Sequence, residues 1–206
     1  MDIAAFKKDS LNLSHEDVVQ KYLLDGSCFF FDKIEKTNEF QFKKDLANSL
    51  DVHIRDIAIV GSAKLGFSIK PDKGTEGLYS FKEFDFDYSK DTNKKKSDLD
   101  IAIVSNTLFD NQLKMIYEYT GSYSNLDLFS KKGGRNEFAK YILKGWIRPD
   151  LVPDNYKISE AIKDIQDKYK TLFKRDVNIG IYKNWYYFEN YHIENIRKIY
   201  LNLIAT

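Results

Sequence analysis

"IAIVGSAKLG" occupies residues 57–66 and "SDLDIAIV" occupies residues 97–104. The same four apolar residues occur twice. One copy closes on Gly61-Ser62, and the other is opened by Asp98-Leu99-Asp100. Each copy is a short, partly β-branched run bounded by turn formers or charges, which predicts two buried strands at 57–60 and 101–104. No solenoid-length period accompanies them, so they read as two strands of one sheet and not as a repeat.

The residues flanking the two runs carry chemistry. On a strand, side chains at i and i+2 leave the same face, which sets Asp98 and Asp100 side by side. Two carboxylates held that close repel unless a positive group lies between them. A hard divalent cation that shares its oxygen ligands with phosphate is the usual answer. A strand that ends in Gly-Ser leaves free backbone N–H groups at the turn, which favours an anion. Gly61 permits close backbone approach there, and the Ser62 hydroxyl can donate to a phosphate oxygen. One half holds phosphate and the other holds metal. A second D-x-D pair, Asp85 and Asp87 in "FDFDY", has the same spacing but no apolar strand behind it. It is expected to stay outside the metal site.

Elsewhere, Ser14-His15-Glu16-Asp17 reads as a helix start capped by Ser14. Further helices are expected near 38–50, 111–118, 136–144 (closed by Gly145) and 158–172, with a strand at 177–182 and a closing helix on Ile193, Ile196, Tyr200 and Leu203. "GWIRPDLVPDNY" at 145–156 reads as a rigid connector. Residues 71–97, charge-dense at their end, read as a long surface excursion with a β-hairpin near "FKEFDFDY".

Composition narrows the class. The 206 residues are 43% hydrophobic and 15% aromatic, enough for a packed core. The net charge of +1 argues against a whole-protein field that grips duplex nucleic acid. Cys28, in "SCFFF", reads as a small buried hydrophobe. The first residues show no basic start followed by an apolar stretch, and no run of ~20 apolar residues occurs, so a cytoplasmic protein without a membrane span is expected. His15, His53 and His192 are far apart and none has ligand spacing. Trp185, Tyr186 and Tyr187 offer a stacking surface for a base, although packing of the last strand on the last helix uses aromatics equally well.

"VGSAKLG…SDLDIAIV" resembles the signature of the polymerase-β-type nucleotidyltransferase superfamily, in the style of its small bacterial members. The signature is an apolar residue, Gly, then Gly or Ser, followed downstream by an apolar-Asp-apolar-Asp-apolar strand. The resemblance implies an α/β (α+β) fold, a mixed sheet with helices packed on it. Its core would cover 1–145, and 146–206 would add helices and a strand that completes the core. It further implies transfer of a nucleoside monophosphate from an NTP or dNTP, ATP among them, to a hydroxyl, the expected acceptor being a nucleotide or oligonucleotide, as in bacterial signalling or phage defence. Two Mg²⁺ or Mn²⁺ ions would be held by Asp98, Asp100 and a third carboxylate. Asp176 in "RDVNIGIY" is taken for the third, with Asp127 in "NLDLF" as the alternative. Asn178, on the same face as Asp176, stands where an acid is expected. Gly61, Ser62, Lys64 and Arg135 are the expected nucleotide-binding residues, Arg135 through the basic turn Lys131-Lys132-Gly133-Gly134, and Lys94-Lys95-Lys96 abuts the acidic pair. A non-catalytic or protein-nucleotidylating, antitoxin-like partner module, acting with a protein encoded nearby, is the competing class. A third is a nucleic-acid-binding protein without chemistry.

Overall fold

The computed structural model describes residues 2–35, 38–72, 78–129, 134–153 and 160–205. The order is α1 (Ile3–Asn12), α2 (His15–Val19), α3 (Glu39–Leu50), β1 (Ile57–Val60), α4 (Gly61–Leu65), β2 (Phe67–Pro71), β3 (Tyr79–Glu83), α5 (Phe86–Lys90), β4 (Leu99–Val104), α6 (Asn106–Tyr119), α7 (Gly134–Leu143), β5 (Trp146–Ile147), α8 (Glu160–Phe173), β6 (Val177–Tyr182) and α9 (Trp185–Ile204). The class is mixed α and β, with a four-stranded mixed sheet ordered β1-β4-β6-β5 and a separate β2-β3 hairpin.

The doubled tetrapeptide is a strand pair. β1 runs antiparallel to β4 with Ile57 opposite Ile103, Ala58 opposite Ala102, Ile59 opposite Ile101 and Val60 opposite Asp100. β4 runs parallel to β6, pairing Asp100 with Asn178. The sheet alternates as strands must. Ile57, Ile59, Ile101, Ile103, Ile179 and Ile181 enter the main core, which α3 and α8 cover with Phe42, Leu46, Ile162, Tyr169 and Phe173. Ala58, Ala102, Val104 and Tyr182 face the other way and meet Phe188 of α9. Both faces of the central strands are therefore covered, so their sequences read as continuous apolar runs instead of alternating ones.

Local chemistry fixes the helix starts. Ser14 Oγ accepts from Asp17 N at 3.0 Å, as expected from the sequence. Asn38, Ser105 and Asn184 cap α3, α6 and α9 in the same way. The expected helix at 111–118 starts earlier, at Asn106, because Ser105 supplies the cap. The closing helix begins at Trp185 for the same reason and runs 20 residues.

The 71–97 segment departs from the expectation of a surface excursion. Its hairpin strand β3 pairs back onto β2, Phe67 opposite Glu83 through Pro71 opposite Tyr79, and the last three residues of "FDFDY" begin α5. Phe67, Ile69 and Phe81 pack against Phe6 of α1, Val18 and Val19 of α2 and Ile196 and Ile199 of α9, making a second core. The hairpin is thus a built wall standing beside the sheet. The 145–156 connector likewise contains β5, whose Trp146 and Ile147 pair with Tyr182 and Ile181 of β6.

Candidate functional site

A cleft of about 1160 Å³ opens between the hairpin wall and the α9 face of the sheet. Gly61, Ser62, Asp98, Asp100 and Asn178 line it, together with Lys70 and Lys82 of the hairpin and Arg148, Tyr182 and His192 on the far side. The register creates this grouping. Val60 opposite Asp100 puts the Gly61-Ser62 turn beside the acidic pair, and Asn178 faces it from the parallel neighbour.

Gly61 has φ +66°, and a Cβ there would lie 3.0 Å from Asp100 Oδ2. Only glycine satisfies both the left-handed backbone and that approach. The Asn178 amide nitrogen donates to Asp100 Oδ1 at 3.0 Å and to Asp98 Oδ2 at 3.4 Å. Asp98 is exposed and Asp100 half-buried. Burial raises the Asp100 carboxyl above its usual range and the Asp98 charge adds to this, while the Asn178 hydrogen bond works against it.

The other expected site residues lie elsewhere. Asp176 is bound to Lys170 at 2.7 Å and to Lys95 at 3.6 Å, and those partners lower its pKa. Asp127 is exposed on a 3₁₀ turn at Leu126–Phe129, outside the cleft. Among the described residues, no group of three or more His, Cys, Asp or Glu side chains gathers to hold a metal. Lys64 is 6% exposed and gives its ammonium to the Gly26 carbonyl, lining a smaller pocket of about 550 Å³ and not the cleft. Its position on α4 points it away from the turn it follows. Arg135 is exposed and donates to the Tyr123 carbonyl at 3.0 Å. Lys131, Lys132 and Gly133 lie outside the described residues. Trp185 packs edge to face on Phe188 and Tyr187 lies against Gly145, so these two serve packing, while Tyr186 is exposed outside the cleft.

Asp85 and Asp87 line the cleft, but neither joins Asp98 and Asp100. Asp85 is paired with Arg175 at 3.0 Å, and Asp87 faces Lys82 at 3.5 Å.

Several cleft residues had no sequence signal. Trp146 stacks on Tyr182, ring centroids 5.2 Å apart and planes 6° from parallel, over Gly180, where a Cβ would meet its indole nitrogen at 2.6 Å. Arg148 sits over Tyr141 at 4.7 Å and chelates Asp150. His192 packs on Phe188 at 4.6 Å, and burial lowers its pKa to about 4, leaving it neutral near pH 7.

Asp98 and Asp100 are a two-carboxylate donor set, short of a full protein cage but able to take part in holding one divalent ion. Mg²⁺ is commonly held by one or two carboxylates plus substrate phosphates and water, and Asp98 with Asp100 supply two carboxylates on one face. A second, acceptor-side ion lacks a third carboxylate among the described residues. Comparison of the chain with protein-family models, with curated proteins and with solved structures finds no match.

Proposed function

We propose that this protein is a metal-dependent nucleotidyltransferase, moving a nucleoside monophosphate from an NTP or dNTP to a hydroxyl acceptor with release of pyrophosphate. The observation that carries the reading is the strand register. It gathers a Gly-Ser turn, two carboxylates and an amide on one sheet face, at the floor of a cleft whose wall bears lysines.

Asp98 and Asp100 hold the ion, and Asn178 keeps their carboxylates together. When bound, Mg²⁺ or Mn²⁺ would supply Lewis-acid neutralisation of the phosphates, and the acceptor hydroxyl gives its proton to solvent. Ser62 Oγ donates to a phosphate oxygen. Lys70 and Lys82, which line the same cleft from the hairpin, offset the triphosphate charge. The aromatic far side excludes water and gives the acceptor an apolar seat. Catalysis in this scheme is positioning plus electrostatics, as phosphoryl chemistry requires. The cleft volume exceeds the ~300–1,000 Å³ of a single small-ligand site, which suits a nucleotide together with a small acceptor such as a second nucleotide or an oligonucleotide end.

Asn178 in the position expected for an acid favours a second reading, a nucleotide-binding partner module without turnover. Calorimetric titration with a non-hydrolysable NTP separates both readings from a fold that binds none. Binding in Mg²⁺ that is lost in EDTA supports the nucleotide site. Equal absence of binding in both removes it.

A further inference from the structure

Asp98 has little to hold it. It is exposed, it precedes the first strand residue of β4, and its side-chain partner is the Asn178 amide at 3.4 Å. Its backbone neighbours, by contrast, are pinned on both sides. The Arg175 guanidinium donates to the Ser97 carbonyl at 2.6 Å and to both Asp85 oxygens, at 3.3 and 3.0 Å. Ser97 N donates to Asp85 Oδ1 at 2.7 Å, and Asp85 N donates to Ser97 Oγ at 3.0 Å, closing a ring of bonds. On the other side, Leu99 N donates to the carbonyl of Asp176, the residue after Arg175.

Arg175 is built in firmly. Its side chain is 2% exposed and lies between the rings of Phe30, at 4.9 Å, and Phe84, at 4.8 Å. A charge so desolvated persists only when paired and hydrogen-bonded. Asp85 itself has φ +60°, a left-handed conformation that aspartate tolerates better than most residues. Asp85 also ends the hairpin wall, so the ring ties the lysine-bearing wall to the start of the acidic strand. Asp100 needs no such device, because the β1 and β6 ladders fix it from both sides.

We infer that Arg175 and Asp85 are positioning residues for Asp98, holding the backbone that aims its carboxylate at the metal and setting the hairpin wall across from it. The inference rests on the nucleotidyltransferase reading for what Asp98 does, and on geometry alone for what holds it.

The test is a double-mutant cycle between Asp85→Asn and Asp98→Ala, read as Mn²⁺ binding by electron paramagnetic resonance in the presence of a non-hydrolysable NTP. Asp85→Asn alone is expected to weaken Mn²⁺ binding at least tenfold, and to add less than twofold once Asp98 is alanine. Equal losses in both backgrounds would mean a general structural role and overturn the inference. Ser97→Ala, which removes only the hydroxyl acceptor, keeps the test open if Asp85→Asn does not fold. It is expected to show the same non-additivity at about threefold. Hydrogen exchange supplies a readout independent of any ligand. In either variant, faster exchange confined to the Ser97, Asp98 and Leu99 amides supports the inference, and unchanged exchange there contradicts it. Failure of the wild type to bind Mn²⁺ with nucleotide would remove the proposed function, while the exchange result would still decide the positioning role.

Discussion

The Asn178 amide, on a parallel strand, donates to Asp100 Oδ1 at 3.0 Å and reaches Asp98 Oδ2 at 3.4 Å, bridging two carboxylates that would otherwise repel. An acid in that place would set a third negative charge against the pair, whereas an amide neutralises part of their repulsion. Asn178→Asp is therefore expected to lower metal-free stability and tighten Mn²⁺ binding at least tenfold. Thermal melts with and without Mn²⁺ check both directions. Unchanged metal affinity would show that Asn178 lies outside the coordination sphere.

Asp100 carries an electrostatic cost. Burial, with the Asp98 charge adding to it, raises its pKa, so between the ordinary carboxylate range and the raised value the folded chain holds a proton that the unfolded chain has released. Stability contributed at this site falls as pH rises from the ordinary carboxylate range through the raised value. Asp100→Asn removes that slope and is expected to raise the metal-free Tm at pH 7, at about 2–4 °C per kcal/mol for a chain of this size. It should also abolish metal-dependent turnover. A lower Tm would recast the carboxylate as a structural group.

Asp176 behaves in the opposite sense. Lys170, with Lys95 assisting, lowers its pKa, so its contribution is present above the unfolded carboxylate value and is lost as pH falls through the folded one. Asp176→Asn is expected to cost about 0–1 kcal/mol, the range of exposed ion pairs, and to change turnover less than tenfold. A loss as large as that of Asp98→Ala would restore Asp176 to the metal site.

Gly61→Ala combines a left-handed backbone with a Cβ at 3.0 Å from Asp100 Oδ2. The expected cost is about 1–3 kcal/mol, with loss of nucleotide binding, both readable from melts and calorimetry. Lys64→Met, by contrast, should leave nucleotide affinity within twofold, because the ammonium is spent on the Gly26 carbonyl.

Much of this arrangement was legible in the sequence. The two apolar runs, the face shared by Asp98 and Asp100, and strand 177–182 follow from period-two alternation and β-branched composition. What escaped depends on partners distant in the chain. β2 has no apolar run of its own to mark it, because its pairing with β3 is what makes it a strand. Trp146 and Arg148 sat in a proline-marked stretch that gave no hint of pairing with β6. Lys64 leaves the expected nucleotide site because it lies on the five-residue helix that Gly61 begins, where its ammonium turns to the Gly26 carbonyl, a direction that residue type does not encode. Asp85 looked unsupported since its anchor, Arg175, lies 90 residues away.

The central claim is that Asp98 and Asp100 support metal-dependent nucleotidyl transfer in this cleft. The most direct measurement is pyrophosphate release, with the fate of α-phosphate label, when the purified protein and its Asp98→Ala and Asp100→Ala variants receive each NTP and dNTP in Mg²⁺ or Mn²⁺. The account predicts release by the wild type, label on a nucleotide or oligonucleotide product, and loss of both in folded variants. Undiminished release by both variants, or nucleotide binding by the wild type without release under any of these conditions, would contradict it.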